Sequence, residues 1–283
     1  MEHADVGWAS ERAERPSAMP ALFRATVGRF DDPALREAVD RLAWWVREAF
    51  AADLSARPSR HLYVSTLPAE VIADIDLLRQ SEAVHAAILS QLPAGTALVP
   101  LDATDELYLS HYNKDLAGDH GLFATHYDGN LRFVPFGVVV RALIYLTSDG
   151  SYEVVFRDSG VRHGFKTYEF GVLDFHRELH HVEGAWREGT PDRFLLKCNT
   201  LAITPRERWL LVPLRALNHG QFYVVKAAME YSKSPKTLPQ RVVGAVCNLI
   251  RVLNNLHPVL PHAAILATMG LVMAGFVGLV AGV

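Results

Sequence analysis

The feature that most constrains this chain is a change of texture near residue 96. Before it, apolar residues recur at helical spacing. After it, they come in short β-branched runs cut by turn residues. Strands are expected at 107–112, 122–126, 138–147, 152–157, 165–170, 172–176 and 194–203. Asp149-Gly150 reads as a hairpin-type turn and Gly171 as another. Many short strands behind a helical lead-in predict an α+β chain, with a β-sandwich or barrel buttressed by helices.

The lead-in divides into helices by its own punctuation. Asp32-Pro33 has the form of an N-cap followed by the first helical residue. Leu35, Val39, Leu42, Val46 and Phe50 then line one face, and Trp44 and Trp45 widen it, so this helix is expected to pack against something large. Pro68 opens a second helix whose inner side is Val71, Ile72, Ile75 and Leu78; residues 83–92 read as a third. From 205 helical character returns, with Pro239 a helix start and Val242, Val246, Leu249, Val252 and Leu253 a buried face.

Composition excludes some classes. The formal charge of −3 gives no support to a nucleic-acid partner. Two cysteines, Cys198 and Cys247, make no disulfide framework and no zinc-type spacing. Acids at Glu2 and Asp5, with no early apolar run, argue against a secretory signal. Residues 263–283 are uncharged, and Thr268 is the one clearly polar side chain among them. A helix of that length spans roughly 30 Å, the thickness of a hydrocarbon core. Lys226, Lys233, Lys236, Arg241 and Arg251 precede it against the single acid Glu230. That pattern predicts a single-pass C-terminal tail anchor, a transmembrane helix with the globular part on the cytosolic side.

The chemistry-bearing residues fall inside the strand-rich part. His126 and Asp128 are two apart at a strand end, so both side chains project to one side. About fifty residues on, His176, His180 and His181 cluster at the end of another strand. Two imidazoles and one carboxylate can cap one face of an octahedral ferrous ion and leave three positions open. Alone, an HxD pair is a weak signal. His111, His120, His163, His219, His257 and His262 gain no support from spacing and read as structural or surface residues; Cys198 reads as a small core residue.

Order and spacing add weight. After His126-Tyr127-Asp128 come Arg141 to Thr147 (RALIYLT), the Asp149-Gly150 turn, a Gly-led strand Gly171-Val172-Leu173-Asp174-Phe175, then His180-His181-Val182 and Arg193-Phe194-Leu195-Leu196-Lys197-Cys198. Over about residues 105–204 this resembles the iron(II)- and 2-oxoglutarate-dependent dioxygenases, especially the prolyl 4-hydroxylase-like branch. The resemblance implies a double-stranded β-helix (jelly-roll) core. It implies His126, Asp128 and His180 as iron ligands, with Arg193 holding the far carboxylate of 2-oxoglutarate and Tyr145 or Tyr112 donating to it. His181 and His176 remain alternatives for the distal ligand, and Lys197 for the basic residue. The branch's Gly-Gly-x-Leu turn is replaced here by Asp149-Gly150-Ser151-Tyr152, and the step from His180 to Arg193 is longer than usual.

The implied activity is hydroxylation of a protein or small-molecule substrate, a peptidyl residue among the candidates, with release of succinate and carbon dioxide. Iron(II), 2-oxoglutarate and dioxygen are the implied cofactor and co-substrates, with ascorbate an optional reductant. The expected organisation is a helical region at 1–95, an oxygenase core at 96–205, a helical extension at 206–262 and the anchor at 263–283. Two other readings compete: another β-barrel metalloenzyme, and a membrane-anchored binding or scaffold protein with an oxygenase-like fold.

Overall fold

The computed structural model describes residues 22–54, 59–110, 125–129, 131–132, 134–184 and 192–233, with a few positions beyond them (237, 238, 240–242 and 245). The elements run β1 (Thr26–Arg29), α1 (Pro33–Leu54), β2 (Ser59–Tyr63), α2 (Ala69–Arg79), α3 (Glu82–Leu89), β3 (Ala97–Pro100), β4 (Glu106–Ser110), β5 (Val138–Thr147), β6 (Asp149–Phe156), β7 (Val161–Lys166), β8 (Glu169–Asp174), β9 (His180–Glu183), β10 (Arg193–Ile203) and α4 (Leu211–Lys233).

Two antiparallel sheets carry the architecture. The larger has seven strands in the order β1-β8-β5-β10-β4-β2, with β3 also on β10; the smaller is β7-β6-β9. His126 forms a bridge to His180 and so adds a fourth rung beside β9. The chain alternates between sheets: β4 in the large one, His126 in the small, β5 in the large, β6 and β7 in the small, β8 large, β9 small, β10 large. That alternation, with β8-β5-β10-β4 facing β7-β6-β9-His126, is the strand pairing of a double-stranded β-helix.

Period-two patterning decides which side chains face the interior. Along β5, Val138, Val140, Ala142, Ile144 and Leu146 point outward into a core shared with the helices. Leu143 and Tyr145 point inward to the small sheet. Along β10, Phe194, Leu196 and Cys198 join the helical side and Leu195 the inner side. Both strands are therefore buried on both faces and read as continuous apolar runs. The outer core takes Leu35, Val39, Leu42 and Val46 from α1, Val71, Ile75 and Leu78 from α2, and Val84 and Ile88 from α3. Each such side chain contributes about 1.5–3 kcal/mol on burial.

Local chemistry starts the helices as expected. The Asp32 carboxylate accepts from the Ala34 amide at 2.8 Å, capping α1. The Ser81 hydroxyl accepts from Val84 N at the start of α3. The expected tryptophan face is half correct: Trp45 packs on the core, but Trp44 is 63% exposed.

Several expectations need correction. Gly171 is not a turn; it lies within β8, where a Cβ would stand 2.7 Å from Phe165 Cζ. The turn is at Thr167-Tyr168, with Tyr168 at φ 71°. Asp149-Gly150 is not a hairpin turn either, because β5 and β6 belong to different sheets; Gly150, at φ 84°, carries the chain across. Val242, expected on a buried face, is exposed.

The membrane expectation is also corrected. No helix among the described residues is long and apolar enough to cross a membrane. The two longest helices fail for a physical reason: α1 carries Arg36, Glu37, Asp40, Arg41, Arg47, Glu48 and Asp53, and α4 carries Arg215, Lys226, Glu230 and Lys233. Residues 263–283, to which the transmembrane anchor was assigned, lie outside the described residues. Localisation at a membrane with a cytosolic catalytic part therefore has no support.

Candidate metal centre

His126 and Asp128 enter the barrel mouth on the segment that precedes β5. Backbone bonds from His126 N to His180 O (2.9 Å) and from His180 N to His126 O (3.0 Å) fasten the first histidine to β9. Beyond Asp128 the segment is clamped by the turn after β8. Gly129 N donates to Phe175 O at 2.8 Å, Leu131 N donates to His176 Nδ1 at 3.3 Å, and Arg177 Nε donates to Arg132 O at 3.2 Å. A glycine is needed at 129, because a Cβ there would lie 2.0 Å from His176 Nδ1.

The clamp brings three side chains together. One ligand atom from each of His126, Asp128 and His180 lies within 4.8 Å of the others, a group that can hold a metal ion. Asp128 Oδ1 is 3.6 Å from His126 Nε2, and Oδ2 is 3.7 Å from His180 Nε2. Ligands in cis positions about 2.1 Å from one ion lie about 3 Å apart, so a small rotation closes the set. His180 is buried and His126 is 36% exposed, so the group opens to solvent on one side.

Protonation states suit a cation. Burial lowers the His180 pKa to about 4, although Asp128 opposes the shift. His180 Nδ1 stands 3.1 Å from Glu178 O; a carbonyl only accepts, so Nδ1 carries the proton and Nε2 keeps its lone pair toward Asp128. Burial would raise the Asp128 carboxyl, but the charges beside it, Arg141 foremost, outweigh burial and hold the group well below the usual carboxylate range. Asp128 is an anion across the physiological range.

Of the other distal candidates, His181 turns away and pairs with Glu183 Oε1 at 3.0 Å. His176 is buried in the clamp, with Nε2 2.9 Å from Asn218 Oδ1 on α4. Neither belongs to the group around Asp128.

Deeper on the same inner face lies a cationic pocket. Arg193 and Tyr145 are both buried, and Arg193 Nη2 donates to the Tyr145 oxygen at 3.2 Å. Arg193 Nε and Nη1 are buried with no hydrogen-bond partner among the described residues. Burial raises the Tyr145 pKa, so the phenol keeps its proton. Its ring lies stacked on Phe165, with centroids 4.4 Å apart. A guanidinium edge without a partner, beside a protonated phenol, fits one carboxylate. Lys197, the alternative, is already matched: its ammonium is 2.9 Å from Glu106 Oε1 and sits over the Tyr108 ring. Tyr112 lies outside the described residues.

Sequence reasoning passed over Arg141. Its Nη1 donates to Asp128 Oδ2 at 2.8 Å and its Nε to Asn199 Oδ1 at 2.9 Å. The signal was present: Arg141, Leu143 and Tyr145 alternate on β5, so Arg141 had to share the inner face with Tyr145.

No family model matches the chain, and no curated protein matches it. Solved structures do. A prolyl-4-hydroxylase from Pseudomonas putida is 19% identical with a TM-score of 0.37, over 62% of this chain and 92% of that one. The non-heme alpha-ketoglutarate-dependent epimerase SnoN from nogalamycin biosynthesis is 14% identical with a TM-score of 0.41, over 65% of this chain and 76% of that one. HygX from Streptomyces hygroscopicus, with nickel and 2-oxoglutarate bound, is 13% identical with a TM-score of 0.40, over 64% and 83%. At such identities the double-stranded β-helix is defined by the strand pairing of this chain itself.

Proposed function

We propose that this chain is an iron(II)- and 2-oxoglutarate-dependent dioxygenase that hydroxylates its substrate. In this reading His126, Asp128 and His180 hold iron, Arg193 and Tyr145 bind the far carboxylate of 2-oxoglutarate, and residues 96–205 form the oxygenase core. The prolyl-hydroxylase-like branch, with a peptidyl substrate, is the finer form of the proposal, and the order of motifs around His126 and His180 supports it. The donor set is that of a facial ferrous site, with open positions for a chelating acid and dioxygen. When bound, iron(II) with 2-oxoglutarate and dioxygen supplies an oxidation that hydroxylates a C–H bond and leaves succinate and carbon dioxide.

One observation carries the reading: the orphaned edge of Arg193, buried on the inner face that also holds the three ligands. A buried cation with two empty nitrogens calls for an anion, and a dicarboxylate that also reaches the metal satisfies both ends. The chain's own contribution is positional. Arg193 and Tyr145 fix one end of the acid. Neutral His180 keeps Nε2 free. The inward apolar layer of Leu143, Leu195 and Phe156 limits water.

Anaerobic titration of the protein with iron(II) and 2-oxoglutarate tests this. A weak visible charge-transfer band is expected for the native protein, absent in His126→Ala and strongly weakened in Arg193→Ala. A native protein that gives no band would sink the proposal.

A further inference from the structure

Arg141 is the strongest feature of the centre left without a role. It is buried at the joint between the candidate ligand Asp128 and the body of the large sheet. Its placement is over-determined. Asn199 Nδ2 donates to Thr104 O and to Thr104 Oγ1, both at 3.0 Å, and Asn199 N donates to Asp105 Oδ1 at 2.8 Å. With its amide nitrogen spent in that way, Asn199 can present only its oxygen to Arg141 Nε. The Phe175 ring lies 4.2 Å from the guanidinium carbon and closes the other side. Arg141 is therefore aimed at Asp128 Oδ2 by a braced chain of bonds.

Two consequences follow if the centre holds a divalent ion. With Oδ2 engaged by the guanidinium, Asp128 is left with Oδ1, on the His126 side, as its donor to an ion. The charge count also changes. Arg141 cancels Asp128, and an imidazole that ligates a metal brings no charge, so a divalent ion enters a half-buried site with little local compensation. The same fixed charge attracts an anionic chelator. Coulomb interactions among buried groups fall off only as the inverse of distance and are weakly screened. Arg141 thus acts on metal and acid with opposite signs.

Resting on the iron and 2-oxoglutarate reading above, we infer that Arg141 is a positioning residue that weakens the hold on the metal alone and strengthens the hold on the anionic co-substrate. The ion is then retained mainly as part of a complex with the acid. A purely structural salt bridge would behave differently: its loss would loosen Asp128 and weaken both ligands together.

Cobalt(II) and 2-oxoglutarate are the probes, with binding read by visible absorption and calorimetry rather than turnover. Arg141→Gln keeps an N–H donor for Oδ2 and removes the charge. It should bind cobalt(II) alone about tenfold more tightly than the native protein, and the cobalt-loaded variant should bind 2-oxoglutarate about tenfold more weakly. Arg141→Lys, which keeps the charge, should stay within about threefold of native for both. Should Arg141→Gln not fold, Arg141→Met removes the same charge while keeping an apolar stem against Phe175, and should give the same opposed pair of shifts. Affinities that both fall, that both stay unchanged, or that shift as much in Arg141→Lys as in Arg141→Gln overturn the inference. If the native protein binds no cobalt(II) that His126→Ala abolishes, the underlying reading of the centre fails instead.

Discussion

Arg193 places a guanidinium at a position only 5% exposed, and two of its nitrogens lack partners among the described residues. Leaving a buried ionic group part-satisfied costs about 1–3 kcal/mol. Arg193→Met should therefore stabilise the ligand-free protein by about that amount while abolishing the thermal shift that 2-oxoglutarate gives the metal-loaded form. A melting curve of native and variant with and without the acid decides it; a variant that is both less stable and still responsive would refute the assignment. Lys197 gives the opposite case, since removing it would take the cation from Glu106 Oε1 and leave that buried carboxylate with His61 on its other oxygen. Sequence alone could not separate the two, because both lie on the inward register of β10 and the difference is which one has a neighbouring acid. The pairing of His126 with Asp128 was suggested by a spacing of two, although in the structure His126 is an isolated bridge to His180 and Asp128 lies in a bend. The choice of His180 over His181 depended on the same parity.

Among the elements, Gly129, Leu131, Arg132 and Val134 form one clamp with the turn after β8, and His176 is its pin. Gly129→Ala should cost about 1–3 kcal/mol through overpacking and weaken metal binding, since it displaces the residue next to Asp128. Adding His176→Ala, which opens the space a Cβ needs, should recover part of the loss; additive costs in chemical unfolding would count against the clamp. The pin also titrates. Burial lowers the His176 pKa from 6.5 to about 3, opposed by its bond to Asn218. A depressed pKa means that the folded state binds the proton less readily than the unfolded chain. The stability this group contributes is complete above pH 6.5 and drains away as pH falls toward 3. At pH 5 the loss is at most about 2 kcal/mol. Asp105 and Glu178, both raised to about 7 by burial, act with the opposite sign over part of this range, so the comparison must be between native and His176→Gln. Urea midpoints for the variant should fall less between pH 7 and pH 5; parallel curves would remove His176 from the account. The long elements were readable from periodicity. β1 and β2 were not, because strands of four and five residues carry no pattern of their own. β1 exists through its pairing of Thr26 to Arg29 with Val172 to Glu169, a partner far along the chain.

For the molecule as a whole, the two sheets differ in how they are held. The large sheet is covered on one side by α1, α2 and α3 and on the other by the small sheet. The small sheet has one buried face. Its outer face carries exposed pairs such as Arg162 with Glu153 at 3.0 Å, and such pairs contribute at most about 1 kcal/mol. Its strands β6, β7 and β9 should open at lower free energy than β4, β5, β8 and β10, and their amides should exchange first. The candidate centre spans this weaker joint. His126 and His180 belong to the small sheet, whereas Arg141, which anchors Asp128, and Tyr145 and Arg193, which form the cationic pocket, belong to the large one. A metal with a dicarboxylate would tie the sheets together. Ligand that binds only the closed form at about a hundred times its dissociation constant stabilises that form by about 2.7 kcal/mol. Hydrogen exchange should therefore show metal plus 2-oxoglutarate slowing β9 and β6 by up to about a hundredfold, with little effect on β1 at the far edge of the large sheet. The protection should disappear with chelator and be absent in His126→Ala. Uniform slowing across both sheets would mean that the ligands stabilise the fold globally rather than through the joint at His180.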